Sequence, residues 1–339
     1  MKVAVYYSNN DIRIEEREIP KIGEKEILLK VRASGICGSD VLEWYRKGKA
    51  PVILGHEVAG DVVEVGKEVK GVKEGDKVVV AHHVPCNTCY FCLRGHHTVC
   101  ETLRKTNFYP GGFSEFIRVP EINVDRGIFP FEKISYEEAS LTEPLACVIR
   151  AHRLLSTSIE DSVFVIGCGT AGLLHIKFLK AIGVRRIFAA DIIDYRIESA
   201  KKAGADFAFQ SEKGVAEFIR SKNDSRLADK VILCTGSPSA VEMAFETVER
   251  GGKILFFATP EPDVGIPLPV NRMFWRTEIS FVSSYGGSPR DYADAIELIE
   301  NGRIDVKSLI THRLPLSEAS YGFKLVSNGK ECIKVVLIP

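Results

Sequence analysis

Residues 163–172 read VFVIGCGTAG, and this stretch decides the fold class of the chain. Its first four residues form the continuous apolar run that is typical of a buried strand in a parallel sheet. The glycines that follow match G-x-G-x-x-G, and a helical pattern continues over residues 172–182. Such a turn brings a pyrophosphate close to the backbone at a helix N-terminus, which attracts its negative charge. The residues expected to contact a dinucleotide here are Gly167, Gly169, Thr170, Ala171 and Gly172.

The chain after this stretch alternates between short apolar runs and helical patterns. The predicted elements are a strand at 187–190, a helix at 194–203, a strand at 230–233, a helix at 239–250 and a strand at 253–257. A series of alternating strands and helices requires a parallel sheet with helices on both faces. The sequence therefore predicts an α/β domain with a doubly wound parallel sheet.

Two charged residues bear on the choice of cofactor. Asp191 ends the next strand after the glycine turn, about 20 residues further on, where a carboxylate accepts hydrogen bonds from the adenosine ribose. An acid at this position favours NAD over NADP. Arg196 lies five residues beyond, within reach of a 2′-phosphate, but the preferred interpretation of Arg196 is a solvated charge on the following helix.

The chain has a different pattern before residue 150. From residue 2 to about residue 80, short β-like runs are separated by glycine-containing turns, which predicts a compact antiparallel barrel. Residues 136–155 are helical, with Ser135 as the N-cap and Glu138 completing a capping box. A helical stretch at 289–301 and a strand at 332–337 end the chain, and their pattern assigns them to neither domain.

Length and charge limit the class of function. A chain of 339 residues is longer than one hydrophobic core usually supports, so two domains are expected. The 45 basic residues balance the 45 acidic ones, which gives no net field to attract a nucleic acid or an anionic membrane. The start lacks the pattern of a signal peptide and no apolar run approaches a membrane span. We expect a cytoplasmic protein whose partners are small molecules or further subunits.

Four of the nine cysteines lie close together in one short loop. Cys86, Cys89, Cys92 and Cys100 give the spacing C-x2-C-x2-C-x7-C, which suits one tetrahedral zinc ion closed by four thiolates. A structural zinc is the preferred interpretation, and an iron–sulfur cluster is the rival. Histidines that flank the loop are further possible ligands: His82, His83, His96 and His97.

A second candidate metal site is spread over two segments. Cys37 lies in GICGSD, and His56 and Glu57 lie in LGHE. A lone cysteine or histidine is most often an ordinary buried residue. Together the three supply a soft, a borderline and a hard ligand, a mixture that suits a zinc ion with an open position for Lewis-acid chemistry.

These motifs together resemble those of the zinc-dependent medium-chain dehydrogenases, and most closely their polyol and threonine dehydrogenase branch. The resemblance spans almost the whole chain. The motifs that carry it, in chain order, are Cys37-Gly-Ser-Asp, Gly55-His56-Glu57, the four-cysteine loop, Glu143-Pro144-Leu145, the glycine turn at 167–172, Gly204-Ala205-Asp206 and Cys234-Thr235-Gly236.

The resemblance implies a fold and an assembly. A GroES-like β-barrel catalytic domain would comprise residues 1–149 and 290–339, with a structural zinc lobe at about 85–101. A Rossmann NAD-binding domain would comprise residues 150–289. Family members of this kind pair through their sheets, so a homodimer or homotetramer is implied.

The resemblance also implies roles for single residues. Cys37 and His56 would bind the catalytic zinc, with Glu57 as a direct ligand or a close partner of the ligands. Glu143 would bind the zinc, hold its water or contact the substrate, although Cys147 is an alternative source of a sulfur ligand. Leu42 stands where many relatives have a histidine that transfers a proton, which leaves Ser39 as the candidate to accept the substrate proton. Two zinc ions per chain follow.

The implied reaction transfers a hydride between NAD and a secondary alcohol of a polyol, sugar or cyclitol. The first alternative is an L-threonine 3-dehydrogenase, which would need an arginine near the zinc to bind the substrate carboxylate. The candidates for that arginine are Arg150, Arg272 and Arg290. The second alternative is a non-catalytic NAD-binding sensor, which the presence of both Cys37 and His56 disfavours.

Overall fold

The computed structural model describes residues 1–210 and 214–339, and these divide into two compact units. Unit 1 comprises Met1–Ala146 and Gly286–Pro339, and unit 2 comprises Cys147–Tyr285. Both divisions lie a few residues before the boundaries that the sequence suggested. The first lies inside the continuous helix Thr142–Leu155, where no turn marks it in the sequence.

The elements are numbered in chain order. The strands are β1 (Lys2–Ser8), β2 (Asp11–Glu16), β3 (Ile27–Gly35), β4 (Val52–Ile53), β5 (Glu57–Val65), β6 (Lys77–Val80), β7 (Phe116–Val119), β8 (Ile128–Pro130), β9 (Ser162–Ile166), β10 (Arg186–Asp191), β11 (Phe207–Gln210), β12 (Ala228–Leu233), β13 (Val248–Phe256), β14 (Ser280–Ser283), β15 (Ile310–Pro315) and β16 (Lys334–Ile338). The α-helices are α1 (Glu43–Arg46), α2 (Tyr90–Leu93), α3 (Glu101–Lys105), α4 (Glu121–Arg126), α5 (Tyr136–Ser140), α6 (Thr142–Leu155), α7 (Thr170–Ile182), α8 (Asp194–Ala203), α9 (Val215–Lys222), α10 (Pro238–Thr247), α11 (Val270–Phe274), α12 (Pro289–Glu300) and α13 (Ala319–Asn328).

Unit 1 is built on two β-sheets. Strands β2, β1 and β4 form an antiparallel sheet, and the larger sheet has the order β15-β16-β3-β5-β6-β8, with β7 also paired to β3. Strands β15 and β16 are parallel and the other pairs of this sheet are antiparallel. The end of the chain belongs to unit 1. Its helix and strand pattern left it unassigned, and the resemblance placed it in the catalytic domain. The capping box predicted at Ser135 is present, since its Oγ accepts from Glu138 N at 3.2 Å and its N donates to Glu138 Oε2 at 3.0 Å.

Unit 2 contains one fully parallel sheet. Its order is β11-β10-β9-β12-β13-β14, so the first strand in sequence, β9, lies in the middle. This is the 3-2-1-4-5-6 order of doubly wound dinucleotide-binding sheets, and it confirms the predicted fold class. All five residues of β9 are buried, because helices cover a parallel sheet on both faces. Its core includes Phe164, Phe188, Val231 and Ile254.

Two local predictions in unit 2 were wrong or incomplete. The helix predicted at 239–250 ends at Thr247, and Val248 already belongs to β13, where it pairs with Ala228. The helical pattern overran because Val248, Glu249 and Arg250 continue it as far as the two glycines at 251 and 252. Strand β11 and helix α9 were not predicted, since both are short and β11 is an edge strand with no fully buried residue.

No helix in the described residues is long and apolar enough to cross a bilayer.

Candidate metal and cofactor sites

The four cysteines of the loop at 86–100 converge on one point. Their Sγ atoms all lie within 4.8 Å of one another. The distances are 4.0 Å from Cys86 to Cys92, 3.6 Å from Cys89 to Cys92 and 3.6 Å from Cys86 to Cys100. A tetrahedral zinc with Zn–S bonds of about 2.3 Å requires sulfur–sulfur distances of about 3.8 Å. The four sulfurs therefore fit one zinc ion, and all four are free thiols.

Hydrogen bonds within the loop favour the thiolate form of Cys86, which is the form that binds metal. Hydrogen bonds from the backbone and side chain of Thr88, and from the backbone of Cys89, lower the pKa of Cys86 to about 5. Burial raises the pKa of Cys92 to about 12. One thiolate is thus already formed at neutral pH, and thiolates are the form in which cysteine binds zinc. No histidine belongs to this group of ligand atoms in the described residues.

The second group of candidate ligands is Cys37, His56 and Glu57, whose ligand atoms also lie within 4.8 Å of one another. Cys37 caps a short 3-10 helix, Gly38–Val41, and its Sγ accepts a hydrogen bond from Ser39 N at 3.4 Å. Glu57 begins β5, so His56 and Glu57 stand at the start of a strand in the larger sheet. The two segments meet because β3, which precedes Cys37, pairs with β5.

A buried carboxylate orients this group. Asp40 is fully buried, and its Oδ2 accepts from Cys37 N at 3.0 Å. Its Oδ1 lies 3.5 Å from His56 Nδ1 and 3.1 Å from Arg46 Nη2. Burial raises the pKa of Asp40, but His56 and Arg46 lower it further, so the net shift is downward and the carboxylate is charged. A carboxylate on one ring nitrogen fixes the orientation of a histidine that binds metal through the other.

Glu57 has one oxygen engaged and one free. Its Oε2 forms a buried ion pair with Lys334 Nζ, and its Oε1 is buried without a hydrogen-bond partner in residues 1–210 and 214–339. An unsatisfied buried carboxylate oxygen costs free energy unless a cation or a donor is placed against it. The orphaned oxygen and the sulfur, nitrogen and oxygen donor set both fit a zinc ion at this site.

The other predicted ligands lie outside this group. Glu143 is buried in the first turn of α6, but its carboxylate is not among the atoms that cluster within 4.8 Å. Cys147 is one turn further along α6 and is not among them either. Ser39 is beside Cys37, and its Oγ accepts from Arg46 Nη2 at 3.2 Å. Leu42, which the sequence analysis placed where many relatives have a histidine, is 40% exposed.

His82 also lies close to the group of Cys37, His56 and Glu57, which its place in the sequence did not indicate. It was considered only as a flank of the cysteine loop, but its ring centroid lies 5.0 Å from that of His56 and 4.0 Å from that of His83. Burial and the charges of His83 and His56 lower the pKa of His82 well below its ordinary value, so the ring is neutral at pH 7. Its Nδ1 is buried without a partner in the part of the chain that the structure describes. His82 lies near His56 because it follows directly after β6, which ends at Val80.

The glycine turn of unit 2 has the geometry that a pyrophosphate site requires. Gly167 has φ +94°, a left-handed conformation that favours glycine. A Cβ on Gly172 would lie 1.9 Å from Gly167 O, so the helix approaches the turn more closely than any other residue allows. A Cβ on Gly169, the N-cap of α7, would meet nothing within 4 Å, so there is open space at the helix N-terminus. This space and the helix N-terminus fit a bound pyrophosphate.

Asp191 lies where the sequence placed it and also supports the turn. Its Oδ2 accepts from Cys168 N at 2.7 Å, and its Oδ1 accepts from Ile192 N at 2.8 Å and Ile193 N at 3.0 Å. Arg196, for which a solvated charge was the preferred interpretation, lies near the same carboxylate. Its side chain is only 25% exposed, with Nη1 at 3.9 Å from Asp191 Oδ2, because the carboxylate draws the guanidinium toward the turn.

Gly169→Ala tests the cofactor turn without disturbing the fold. Since the new methyl group occupies only open space, we expect the melting temperature of the cofactor-free protein to stay unchanged. The Kd for NAD, measured by calorimetry, should rise about tenfold or more, because overpacking of a close contact costs about 1–3 kcal/mol. Gly265→Ala, which also adds a methyl group in open space within unit 2, is the matched control. An unchanged Kd in Gly169→Ala would place the cofactor elsewhere.

Comparisons with known proteins agree with this geometry. The family model "Alcohol dehydrogenase GroES-like domain" matches residues 23–126, and the model "Zinc-binding dehydrogenase" matches residues 171–301. An L-threonine 3-dehydrogenase of Caldanaerobacter subterraneus subsp. tengcongensis is 36% identical over 99% of this chain and 98% of its own length. The sorbitol dehydrogenase of Bacillus subtilis is 31% identical over 100% of this chain and 97% of its own length.

A solved structure is similar over the same extent. An alcohol dehydrogenase from Escherichia coli CFT073, in complex with NADH, aligns with a TM-score of 0.88 and 28% identity, covering 100% of this chain and 99% of that one. The match in sequence and in fold extends over both units of the chain. The chain therefore belongs to the zinc-dependent medium-chain dehydrogenase family, whose members include alcohol and polyol dehydrogenases.

Proposed function

We propose that this chain oxidises a secondary alcohol of a polyol, sugar or cyclitol, with unit 2 binding NAD and unit 1 binding two zinc ions. One observation carries the proposal. The four-cysteine group is closed, while the group of Cys37, His56 and Glu57 supplies only three protein ligands. Three protein ligands and an open position are typical of catalytic zinc, and four cysteines are typical of structural zinc.

The residues around the open group have separate tasks in such a reaction. When bound there, zinc supplies a positive charge that stabilises negative charge on the substrate oxygen. Asp40 holds the ring of His56 in one orientation, and Arg46 neutralises the buried Asp40. The Ser39 hydroxyl accepts a hydrogen bond from Arg46 and keeps its own proton free to donate. We assign to Ser39 the first position on the route by which the substrate proton leaves.

The charges near the group favour a polyol over an amino acid. Threonine carries a carboxylate, which is usually bound by an arginine. Arg46 lies beside the group, but its guanidinium is engaged by Asp40, Ser39 O and Ser39 Oγ. Arg290, the candidate arginine that belongs to unit 1, is exposed. A neutral polyhydroxylated substrate needs no such cation.

L-Threonine is the second candidate substrate. It is favoured by the relative from Caldanaerobacter, which is named for that activity and is more similar in sequence than the sorbitol dehydrogenase of Bacillus subtilis. Both named substrates carry a second polar group next to the carbon that is oxidised. We therefore propose that this second group is part of what the site recognises.

A substrate panel tests the proposed function. Zinc-loaded protein is assayed for NADH formation with polyols, cyclitols, aldoses, L-threonine and simple secondary alcohols, and with NADP in place of NAD. We expect the highest kcat/KM for a polyol or cyclitol with NAD. The highest value for L-threonine would support the second candidate. Binding of NAD without its reduction by any compound would support a non-catalytic sensor.

We propose that His82, whose Nδ1 is buried without a hydrogen-bond partner in the described residues, contacts the second polar group of the substrate, and His82→Phe tests this role. We expect kcat/KM for a vicinal diol to fall about tenfold to a hundredfold, because one hydrogen bond to a buried group is lost at a cost of about 1–3 kcal/mol. The kcat/KM for a matched secondary alcohol with a single hydroxyl should stay within about twofold. His96→Phe, on the exposed surface of the cysteine loop, is the control. Equal losses of kcat/KM for the vicinal diol and for the alcohol with a single hydroxyl would exclude a contact between His82 and the second polar group.

We also propose that the protein forms a homodimer or homotetramer through β14. This strand lies at the edge of the parallel sheet, and an unpaired edge is a template for pairing with another chain. Exposed aromatic residues flank it, namely Phe274, Trp275 and Tyr285. Light scattering should give two or four times the chain mass of 37.6 kDa. A mass of one chain at micromolar concentration would contradict the assembly.

A further inference from the structure

A fully buried amide on α4 contacts the segment that carries His82. Asn123 has no exposed surface, and its Nδ2 donates to two successive carbonyl oxygens, Ala81 O at 2.8 Å and His82 O at 2.9 Å. The amide nitrogen of asparagine carries two N–H donors, so one side chain satisfies both carbonyls at once. These two hydrogen bonds join α4 to the residues that directly follow β6.

The two carbonyls belong to the peptide groups on either side of the His82 Cα. A peptide group is planar, so a restraint on both of them fixes the φ and ψ angles of His82 and the direction of its Cα–Cβ bond. From that bond the ring reaches only a few staggered rotamers. The place of the His82 ring, with its centroid 5.0 Å from that of His56, therefore depends on Asn123 through the backbone.

The end of α4 holds the same segment at two further points. Ala81 N donates to Gly127 O at 2.8 Å, and Arg126 Nη1 donates to Pro85 O at 2.9 Å. These bonds anchor the segment before and after His82, but neither involves the carbonyl of His82 itself. The amide of α4 thus adds a separate restraint at the one residue of the segment whose ring lies near the candidate zinc ligands.

The other atom of this amide indicates that the restraint has a cost. The Oδ1 of Asn123 is buried without a hydrogen-bond partner within residues 1–210 and 214–339. A buried polar atom without a partner destabilises the folded state. The opposite orientation of the amide would set Oδ1 against two carbonyl oxygens, so the donors must face the segment. A side chain that is kept at such a cost is expected to have a task, and both of its hydrogen bonds go to the backbone around His82.

We propose that Asn123 is a positioning residue that holds the His82 ring beside His56 and so sets the preference for a substrate with a second polar group. The inference rests on the proposed function, and within it on the contact between His82 and that second group. A ring that rotates away forms this contact less often. Loss of the restraint therefore lowers turnover of a vicinal diol and leaves turnover of an alcohol with a single hydroxyl unchanged.

The first readout is the ratio of kcat/KM for a vicinal diol to kcat/KM for the matched alcohol with a single hydroxyl, measured on zinc-loaded protein. We expect Asn123→Ala to lower this ratio about tenfold, because a displacement of about 1 Å can cost about a hundredfold in rate. Asn223→Ala is the matched control, since Asn223 is also fully buried and its Nδ2 donates to Leu227 O at 2.7 Å, in unit 2. Its ratio should stay within about twofold of the wild type, because distant sites act independently.

The second readout needs no substrate. Selective ¹³C labelling of the eight histidines gives their ring signals by NMR, and the signal that is lost in His82→Phe belongs to His82. We expect this signal to shift or broaden in Asn123→Ala, because the ring samples new positions, and to stay unchanged in Asn223→Ala. In the double variant His82→Phe with Asn123→Ala, the ratio of kcat/KM values should equal that of His82→Phe alone, because both residues act through one ring.

The outcomes separate the positioning role from the proposed function. An unchanged ratio or an unchanged His82 signal in Asn123→Ala would overturn the positioning role, and so would an equal fall of the ratio in Asn223→Ala. If Asn123→Ala does not fold, Asn123→Leu takes its place, because leucine fills the same space without the two donors. A wild-type protein that oxidises no alcohol would contradict the proposed function, while the His82 signal would still decide whether Asn123 holds the ring.

Discussion

Cys37→Ala should lower kcat/KM by at least about a thousandfold and remove one of two zinc ions per chain. A zinc ion contributes several kcal/mol to stabilising charge in the transition state, and each 1.36 kcal/mol is tenfold in rate. The sulfur of Cys37 is the softest donor in a group that supplies only three protein ligands. Zinc content by mass spectrometry of metals and NADH formation with the preferred substrate measure both effects.

Cys147→Ala is the matched control for Cys37→Ala. Cys147 is the alternative source of sulfur on α6, and it does not belong to either cluster of ligand atoms in the described residues. We expect Cys147→Ala to keep both zinc ions and turnover within about twofold. Loss of a zinc ion in Cys147→Ala, with a full complement in Cys37→Ala, would reverse the assignment of the sulfur ligand.

Cys100→Ala should destabilise unit 1 rather than stop the chemistry. Cys100 is 1% exposed, and its Sγ lies 3.6 Å from that of Cys86. The loop around the four cysteines has a small apolar core, in which Leu103 is the one buried residue other than cysteine. A structural zinc therefore supplies much of its stability, since metal binding free energy becomes folding free energy.

The expected loss is about 3 kcal/mol or more, which lowers the melting temperature by about 10 °C. Calorimetry measures the transition, and metal analysis should find the catalytic zinc alone. At low temperature the variant should keep most of its activity. The control is Cys332→Ala, a buried cysteine outside the group. A brown wild-type protein that contains iron would instead support the iron–sulfur interpretation of this loop.

The sequence predicted the features that depend on neighbours along the chain. The apolar run of β9, the glycine turn before α7 and the capping box at Ser135 are local patterns, and each is present. The four-cysteine loop is also local, since its ligands span only fifteen residues of one loop. Spacing of this kind is a consequence of local geometry, so it can be interpreted without knowledge of the fold.

Contacts between distant parts of the chain could not be predicted. Lys334 is 298 residues from Ile36, and only the pairing of β16 with β3 brings them together. His82 was grouped with the cysteine loop because it is near that loop in sequence, but its ring centroid lies 5.0 Å from that of His56.

Transfer of deuterium from the substrate shows whether this protein moves a hydride from an alcohol to NAD. The alcohol with the highest kcat/KM is prepared with deuterium on the carbon to be oxidised, and the NADH formed by zinc-loaded wild-type protein is examined by mass spectrometry. We expect one deuterium in every NADH formed, because the hydride passes directly from the carbinol carbon to the nicotinamide. NADH without deuterium, or bound NAD that no alcohol reduces while both zinc ions are present, would contradict it.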